Sequence, residues 1–127
     1  MKLENYFKNG KIYVWKETFS IVKSKKLLAD AFAVIKDKNE ITVIIDQSKI
    51  KNNKNIIKNE KNWKILTFDI ELPFNLVGFL AKVSKALAEE KISIFVISAY
   101  STDHILVKEK SLKEAISKLK NLGFKIS

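Results

Sequence analysis

Hydrophobic residues in the second half of the chain recur first at strand spacing and then at helix spacing. Residues 63–72 carry apolar side chains at near-alternate positions, which predicts a strand that Pro73 ends, because proline has no N–H for a strand ladder. From residue 76 to 90 the spacing becomes that of one helix face, with Asn75 as the expected N-cap. The apolar positions of this helix are Leu76, Phe79, Leu80, Val83 and Leu87.

Two further strands, a second helix and a last strand follow. Residues 92–97 predict a largely buried strand, 98–103 a turn and 104–107 a returning strand. Ser111 and Glu114 form a capping box at the start of a helix that Gly123 ends, and residues 124–126 add a short strand. With right-handed crossovers, this β-α-β-β-α-β order predicts an α+β, ferredoxin-like fold. Its sheet has four antiparallel strands, with the first and third side by side and both helices on one face.

The first half of the chain has shorter and more polar elements. We expect a short helix or an extended arm at residues 2–8, strand at 12–15 and 19–22, and a polar connection or one helical turn at 23–30. Residues 31–35 and 41–45 flank a polar turn and predict a hairpin. The lysine- and asparagine-rich stretch 47–62 is interpreted as a short helix followed by a connector. These elements predict an N-terminal unit at residues 1–62 and a C-terminal domain at 63–127.

The net charge of +10 comes entirely from lysine, since none of the 24 basic residues is arginine. The surplus concentrates in the first half, above all in residues 49–64. Arginine provides most bidentate phosphate and guanine contacts, so its absence weakens a nucleic-acid role. A compositional bias toward lysine, asparagine and isoleucine, which fills solvent-exposed positions, explains the charge better than a nucleic-acid role does. Nucleic-acid binding through the lysine-rich face of residues 49–64 remains the alternative function.

Several classes of chemistry lack the residues they need. The chain has no cysteine, a single histidine (His104) and three unclustered glycines, which leaves no thiolate metal site and no phosphate-binding glycine loop. We therefore expect no enzyme activity, no cofactor and no metal. Because no apolar run reaches the ~18 residues that cross a bilayer, and the first residues do not resemble a signal peptide, we expect a cytoplasmic protein.

The predicted topology brings two polar segments to one end of the sheet. The loop and helix start at 73–78 follow the first strand, and the turn at 98–104 joins the two strands beside it. Free N–H groups at a helix start attract a carboxylate, and Asp103 attracts an ammonium group, so the pair suits a free amino acid. Each residue also has a structural interpretation: Gly78 as close packing, Asp103 as a turn former and His104 as an ordinary strand residue.

Three segments resemble the ACT domain family: residues 74–80 (FNLVGFL), 87–93 (LAEEKIS) and 97–107 (ISAYSTDHILV). The resemblance covers residues 66–119. Within the family, this sequence resembles small tandem-ACT proteins related to the CASTOR-type ACT domain. The resemblance implies tandem ACT-like units, the first of them partial and including residues 31–35 and 40–45. The sequence departs from the family pattern at Lys91, where a glycine is usual.

The resemblance further implies a homodimer and an amino acid bound at an interface between ACT units. The function predicted is therefore a non-catalytic, ligand-sensing regulatory module without a membrane partner. Together, the residues and the resemblance nominate nine ligand-binding positions: Phe74, Asn75, Leu76, Val77, Gly78, Ser98, Thr102, Asp103 and His104.

Overall fold

The computed structural model describes residues 2–127, which form two compact units. In chain order the elements are α1 (Leu3–Phe7), β1 (Lys11–Val14), β2 (Phe19–Ser24), β3 (Ala33–Lys36), β4 (Ile41–Asp46), β5 (Ile56–Phe68), α2 (Phe79–Glu89), β6 (Ile94–Ser98), β7 (Asp103–Lys108), α3 (Leu112–Asn121) and β8 (Lys125–Ile126). Short 3₁₀ helices lie at Gln47–Lys49 and Glu109–Ser111.

The two units divide the chain differently from the predicted domains 1–62 and 63–127. The larger unit combines residues 2–15 with 64–127, and the smaller unit is residues 16–63. The N-terminal segment belongs to the larger unit because Tyr6, Phe7 and Ile12 are buried in its hydrophobic core. The N-terminal segment is short and contributes only a few apolar residues to this packing. Its hydrophobic pattern therefore did not indicate that it packs into the core of the larger unit.

The larger unit contains the predicted order β5-α2-β6-β7-α3-β8, with the helices on one face of the sheet. Strands β5 and β7 are neighbours, as predicted for the first and third strands, and β6 pairs antiparallel with β7. The prediction of a sheet with only four antiparallel strands was wrong. Strand β1 lies between β5 and β8, antiparallel to β5 and parallel to β8. The sequence marked β1 as a strand but did not indicate its partners.

Aromatic rings fill the core between the sheet and the helices of this unit. The ring of Phe79 in α2 lies 5.1 Å from that of Phe7 and 5.1 Å from that of Phe68 in β5. Phe124 packs edge-on against Phe68 at 5.4 Å. These contacts join the N-terminal helix, the central strand and the start of α2, so they fix where α2 begins relative to the sheet.

Helix α3 occupies the predicted residues but begins and ends by different devices. Ser111 is the N-cap residue, yet its side chain makes no capping hydrogen bond, so the predicted capping box does not form. A 3₁₀ turn precedes the helix instead. Gly123 ends it as expected, with a φ of +115°. Its N–H donates to the carbonyl of Lys120, and its own carbonyl accepts from Asn9.

Two strands of the larger unit differ in extent or burial from the prediction. Strand β5 ends at Phe68 instead of residue 72. Beyond it the chain leaves the ladder, and the N–H of Leu72 donates to the carbonyl of Ser101. Strand β6 is only partly buried, not largely buried as its apolar sequence suggested. Its only strand partner in the part of the chain that the structure describes is β7, so one of its edges is open.

The smaller unit is a sheet with the strand order β3-β4-β2 followed by the first half of β5. The predicted hairpin is confirmed: β3 and β4 pair antiparallel, and a carboxylate oxygen of Asp37 accepts from the N–H groups of Asn39 and Glu40 in the turn. The segment 23–30 contains no helix. Val22, Val43, Ile45 and Ile50 form the core of this unit.

The prediction for residues 47–62 was partly wrong. The helix there is only the 3₁₀ turn Gln47–Lys49, and the expected connector contains the first seven residues of β5. Pairing with β2 makes this segment a strand although polar side chains dominate both of its faces. The lysines of residues 47–62 are exposed, whereas Lys64, which follows them in β5, is only 8% exposed.

No helix within residues 2–127 is both long enough and apolar enough to cross a lipid bilayer.

Replacing Gly123 with alanine is expected to lower the free energy of unfolding by about 1–3 kcal/mol. A β-carbon at this position meets the carbonyl oxygen of Phe7 at 2.8 Å, and the backbone φ of +115° disfavours any side chain. Urea unfolding measures the change, with Lys120→Ala on the exposed face of the same helix as the control. Equal stability of the two variants would contradict this account.

Candidate functional site

A cavity of about 310 Å³ in the larger unit lies where the two predicted segments meet. One wall is formed by residues of the 72–81 segment, which connects β5 to α2, and the other by residues of the 98–103 segment, which connects β6 to β7. Two hydrogen bonds connect the 98–103 segment, one to the 72–81 segment and one to the end of β5. The N–H of Leu72 donates to the carbonyl of Ser101, and the hydroxyl of Thr102 donates to the carbonyl of Phe68. The predicted proximity of the two segments is therefore present in the structure.

Helix α2 begins later than predicted. Its N-cap is Gly78, with φ +92° and ψ 0°, and not Asn75, so the prediction that Gly78 lies inside the first turn was wrong. A glycine fits here because a positive φ is costly for residues with a side chain. Gly78 has no side chain with which to cap the helix. The N–H groups of the first turn, which have no acceptor within the helix, are therefore left uncapped beside the cavity.

The opposite wall presents hydrogen-bond acceptors. The hydroxyl of Ser98 donates to a carboxylate oxygen of Asp103 over 2.6 Å, and the N–H of Ala99 donates to the carbonyl of Thr102 over 2.8 Å. Asp103 is partly buried at the start of β7. The turn thus holds the carboxylate of Asp103 in place at the cavity, with the serine hydroxyl bound to it.

His104 does not line the cavity. Successive strand residues face opposite sides of a sheet, so its ring lies on the face away from Asp103. There its Nδ1 lies 2.8 Å from the hydroxyl of Thr67, which also accepts from the indole N–H of Trp15 at 2.7 Å. Burial lowers the pKa of His104 from its usual value, and the neighbouring Asp103 opposes this shift. The imidazole is therefore a half-buried structural group that favours its neutral form.

Of the nine nominated residues, the cavity brings together six and leaves three outside. Those that line it are Phe74, Leu76, Gly78, Ser98, Thr102 and Asp103. Those that do not are Asn75, Val77 and His104. The lining also includes residues that were not nominated: Leu72, Pro73, Phe79, Leu80, Ala81 and Ala99. The helical spacing of Phe79 and Leu80 indicated core packing, which they provide in addition to lining the cavity.

Two aromatic residues next to the cavity are exposed to solvent. The rings of Phe74 and Tyr100 meet edge to face, with centroids 4.9 Å apart. Phe74 is 77% exposed and Tyr100 is 82% exposed. Nearby in sequence, Val77 is 83% exposed. Apolar groups this exposed occur singly on most surfaces, but a contacting pair from the two walls of one cavity forms an apolar rim.

Residues 2–127 contain no group of three or more histidine, aspartate or glutamate side chains arranged to hold a metal ion.

Comparison with known proteins agrees with this architecture. The ACT domain family matches residues 58–121. A solved structure from Agrobacterium tumefaciens superposes with a TM-score of 0.80 at 20% identity, over 94% of this chain and 92% of that chain. Clostridium acetobutylicum aspartate kinase, described as an allosteric enzyme, gives a TM-score of 0.68 at 13% identity, over 88% of this chain but only 34% of the kinase.

A Porphyromonas gingivalis protein proposed to be a C-terminal regulatory domain of aspartate kinase gives a TM-score of 0.57 at 22% identity, over 93% of this chain and 94% of that one. At these identities the structural likeness establishes the fold alone. The kinase comparison covers a third of the enzyme and carries no catalytic activity over to this chain.

The protonation of His104 is expected to reduce stability as the pH falls. Because folding lowers the pKa of the ring, its stabilising contribution is complete above the unfolded value of about 6.5 and is lost as the pH drops below it. The loss stays well below the one-proton limit of about 1.4 kcal/mol per pH unit, since the ring is only half buried.

Urea unfolding at about pH 7.5 and about pH 5.5, in the wild type and in His104→Gln, isolates this effect. The wild type is expected to lose more stability than the variant between the two conditions. An equal loss in both proteins would show that His104 does not contribute.

The family match covers half of the chain, and the larger unit contains nearly all of the matched residues. The helices, the sheet and the cavity described above lie in that same unit. The chain therefore belongs to the ACT domain family.

Proposed function

We propose that this protein is a non-catalytic regulatory module that binds a free amino acid in the cavity between residues 72–81 and 98–103. The observation that carries the proposal is one cavity with an uncapped helix start on one wall and a partly buried carboxylate on the other. Membership of the ACT domain family supports a regulatory role. The names of the similar structures, an allosteric aspartate kinase and a regulatory domain, point in the same direction.

The two walls suit the two charged ends of an amino acid. A ligand carboxylate accepts hydrogen bonds from the free N–H groups in the first turn of α2, where the helix dipole also favours negative charge. A ligand ammonium donates to Asp103, which lies across the cavity. Charge-assisted hydrogen bonds of this kind are stronger than neutral ones, so both ends contribute to affinity and orientation.

We also propose that the active form is a homodimer in which the apolar rim of Phe74 and Tyr100 is covered. In a monomer the two contacting rings are exposed to water. A partner surface that covers them removes apolar area from water, which favours association, and closes the cavity above the ligand. The smaller unit, residues 16–63, is proposed to be the partial ACT-like unit of a tandem arrangement. Both proposals follow the pattern implied by the family.

Screening free amino acids by thermal shift tests the binding proposal. A ligand at 100 times its dissociation constant is expected to add about 2.7 kcal/mol of stability. Replacing Asp103 with asparagine removes the charge and keeps the shape, so binding is expected to weaken about 10- to 100-fold. Isothermal titration measures the change, and Glu114→Gln, on the exposed side of α3, removes a charge elsewhere in the same unit as the control.

Three results would count against the binding proposal. These are the absence of any stabilising amino acid, equal affinity of Asp103→Asn and the wild type, and an equal loss in the Glu114→Gln control.

Sedimentation equilibrium tests the dimer. The wild type is expected to sediment at twice the chain mass, and the double variant Phe74→Ser and Tyr100→Ser at the mass of one chain. Leu27→Ser serves as the control because Leu27 is an exposed apolar residue in the smaller unit. A wild type that stays monomeric with and without the bound amino acid would refute the dimer and leave the binding proposal intact.

A further inference from the structure

We propose that the sheet of the larger unit binds a nucleotide on the face opposite the helices, with the phosphate on Lys11 and Lys125 and the base on the ring of Tyr13. This second site shares no lining residue with the cavity between residues 72–81 and 98–103, and it does not depend on the proposed function. Three observations carry it: a second cavity, a pair of adjacent lysines that make no ion pair, and an exposed aromatic ring beside them.

The second cavity, of about 320 Å³, lies on β1 and β8. Ile12 of β1 and Ile126 of β8 pack in the core between the sheet and the helices. Successive strand residues face opposite sides of a sheet, so Lys11, Tyr13 and Lys125 project from the other side. All three line the cavity and are exposed to solvent. An open sheet face with an aromatic side chain suits a flat base, which stacks on the ring from one side.

The two lysines stand side by side. Lys11 and Lys125 are register partners in the parallel pair of β1 and β8, and neighbouring strands lie about 4.8 Å apart. Like charges placed directly opposite each other destabilise a sheet. Asp69 also lines the cavity, yet within residues 2–127 neither ammonium group forms an ion pair with it or with another carboxylate. A phosphate group between the two ammonium groups relieves this repulsion.

Tyr13 provides an aromatic surface next to the lysines. It follows Lys11 at the next position on the same face of β1, and its side chain is 38% exposed. The ring of Trp15 lies 6.2 Å from that of Tyr13. The indole N–H of Trp15 donates to the hydroxyl of Thr67 over 2.7 Å, so the indole is held in place and restrains the tyrosine ring beside it.

A nucleotide has both of the groups that this surface binds. Lysine binds phosphate as a point charge, so the lack of arginine in the chain does not weaken this site. An aromatic ring stacks on any base, because every base has a π-face. The carboxylate of Asp69 is a hydrogen-bond acceptor for the ribose hydroxyls. The proposal thus rests on this local arrangement and not on the net charge of the chain.

Titration of the full chain with adenosine monophosphate by calorimetry, and with labelled oligoadenylate by fluorescence anisotropy, tests the site. Replacing both lysines, as Lys11→Gln with Lys125→Gln, is expected to weaken binding at least about tenfold at low salt. For oligoadenylate, the slope of log affinity against log salt concentration is expected to become shallower by about 1.4, or about 0.7 for each lost phosphate contact.

The aromatic contribution is tested by Tyr13→Ala, which is expected to weaken binding at least about fivefold because the stacking surface is lost. Tyr13→Phe keeps the ring and is expected to bind like the wild type. Circular dichroism checks that each variant is folded, and the two exposed lysine positions test the site even if Tyr13→Ala does not fold.

The matched control for charge is Lys51→Gln with Lys54→Gln, which removes two exposed lysines from the smaller unit. This control is expected to leave the affinity for adenosine monophosphate unchanged. Its effect on oligoadenylate is expected to be smaller than that of the change at Lys11 and Lys125.

The outcomes identify the source of the nucleotide or overturn the proposal. Binding of adenosine monophosphate that is lost in the paired lysine variant supports a free nucleotide, and binding of oligoadenylate alone supports a single strand. If neither ligand binds, or if the Lys51 and Lys54 control weakens binding as much as the paired variant, the proposal is overturned. Full affinity in a folded Tyr13→Ala would also overturn it, because the lysines would then hold an anion without the base.

Discussion

The packing of Phe79 between Phe7 and Phe68 is the contact on which the candidate site depends. Phe79 is the first residue of α2, is almost fully buried and also lines the cavity. Its ring fixes the start of α2 above the central strand, and the turn at residues 98–103 is hydrogen-bonded to the end of that strand and the segment beyond it. The distance between the two walls is thus set by core packing and not by either loop alone.

This arrangement explains how a small unit can keep a cavity open. Four of the residues that line the cavity pack in the same core that holds the helices on the sheet: Leu72, Leu76, Phe79 and Leu80. The polar groups are restrained by short hydrogen bonds within the turn. A cavity held in this way is preorganised, and preorganisation lowers the conformational cost of binding.

The order of strands and helices in the larger unit followed from the sequence, since its hydrophobic residues recur at clear strand and helix periods. The meeting of the two site segments also followed, because strand direction determines which connections share an end of the sheet. Successive side chains of β7 face opposite sides of the sheet, which separates Asp103 from His104. The same alternation could have been used to exclude His104 from the site on the sequence alone. The position of Gly78 was harder to predict: asparagine is a common N-cap, and only the backbone conformation shows that glycine takes that role.

Long-range pairing accounts for the remaining differences. Nothing local in residues 11–14 identifies β5 and β8 as their neighbours, and nothing local in the polar residues 56–62 marks a strand. The parallel pairing of Ile12 with Ile126 joins positions near opposite ends of the sequence. Bringing together residues so far apart in the chain costs loop-closure entropy, which no local sequence pattern reveals. A fragment cut at residue 63 would leave β8 without a ladder partner and an unprotected edge on β5, so the larger unit cannot be excised as a continuous piece of chain.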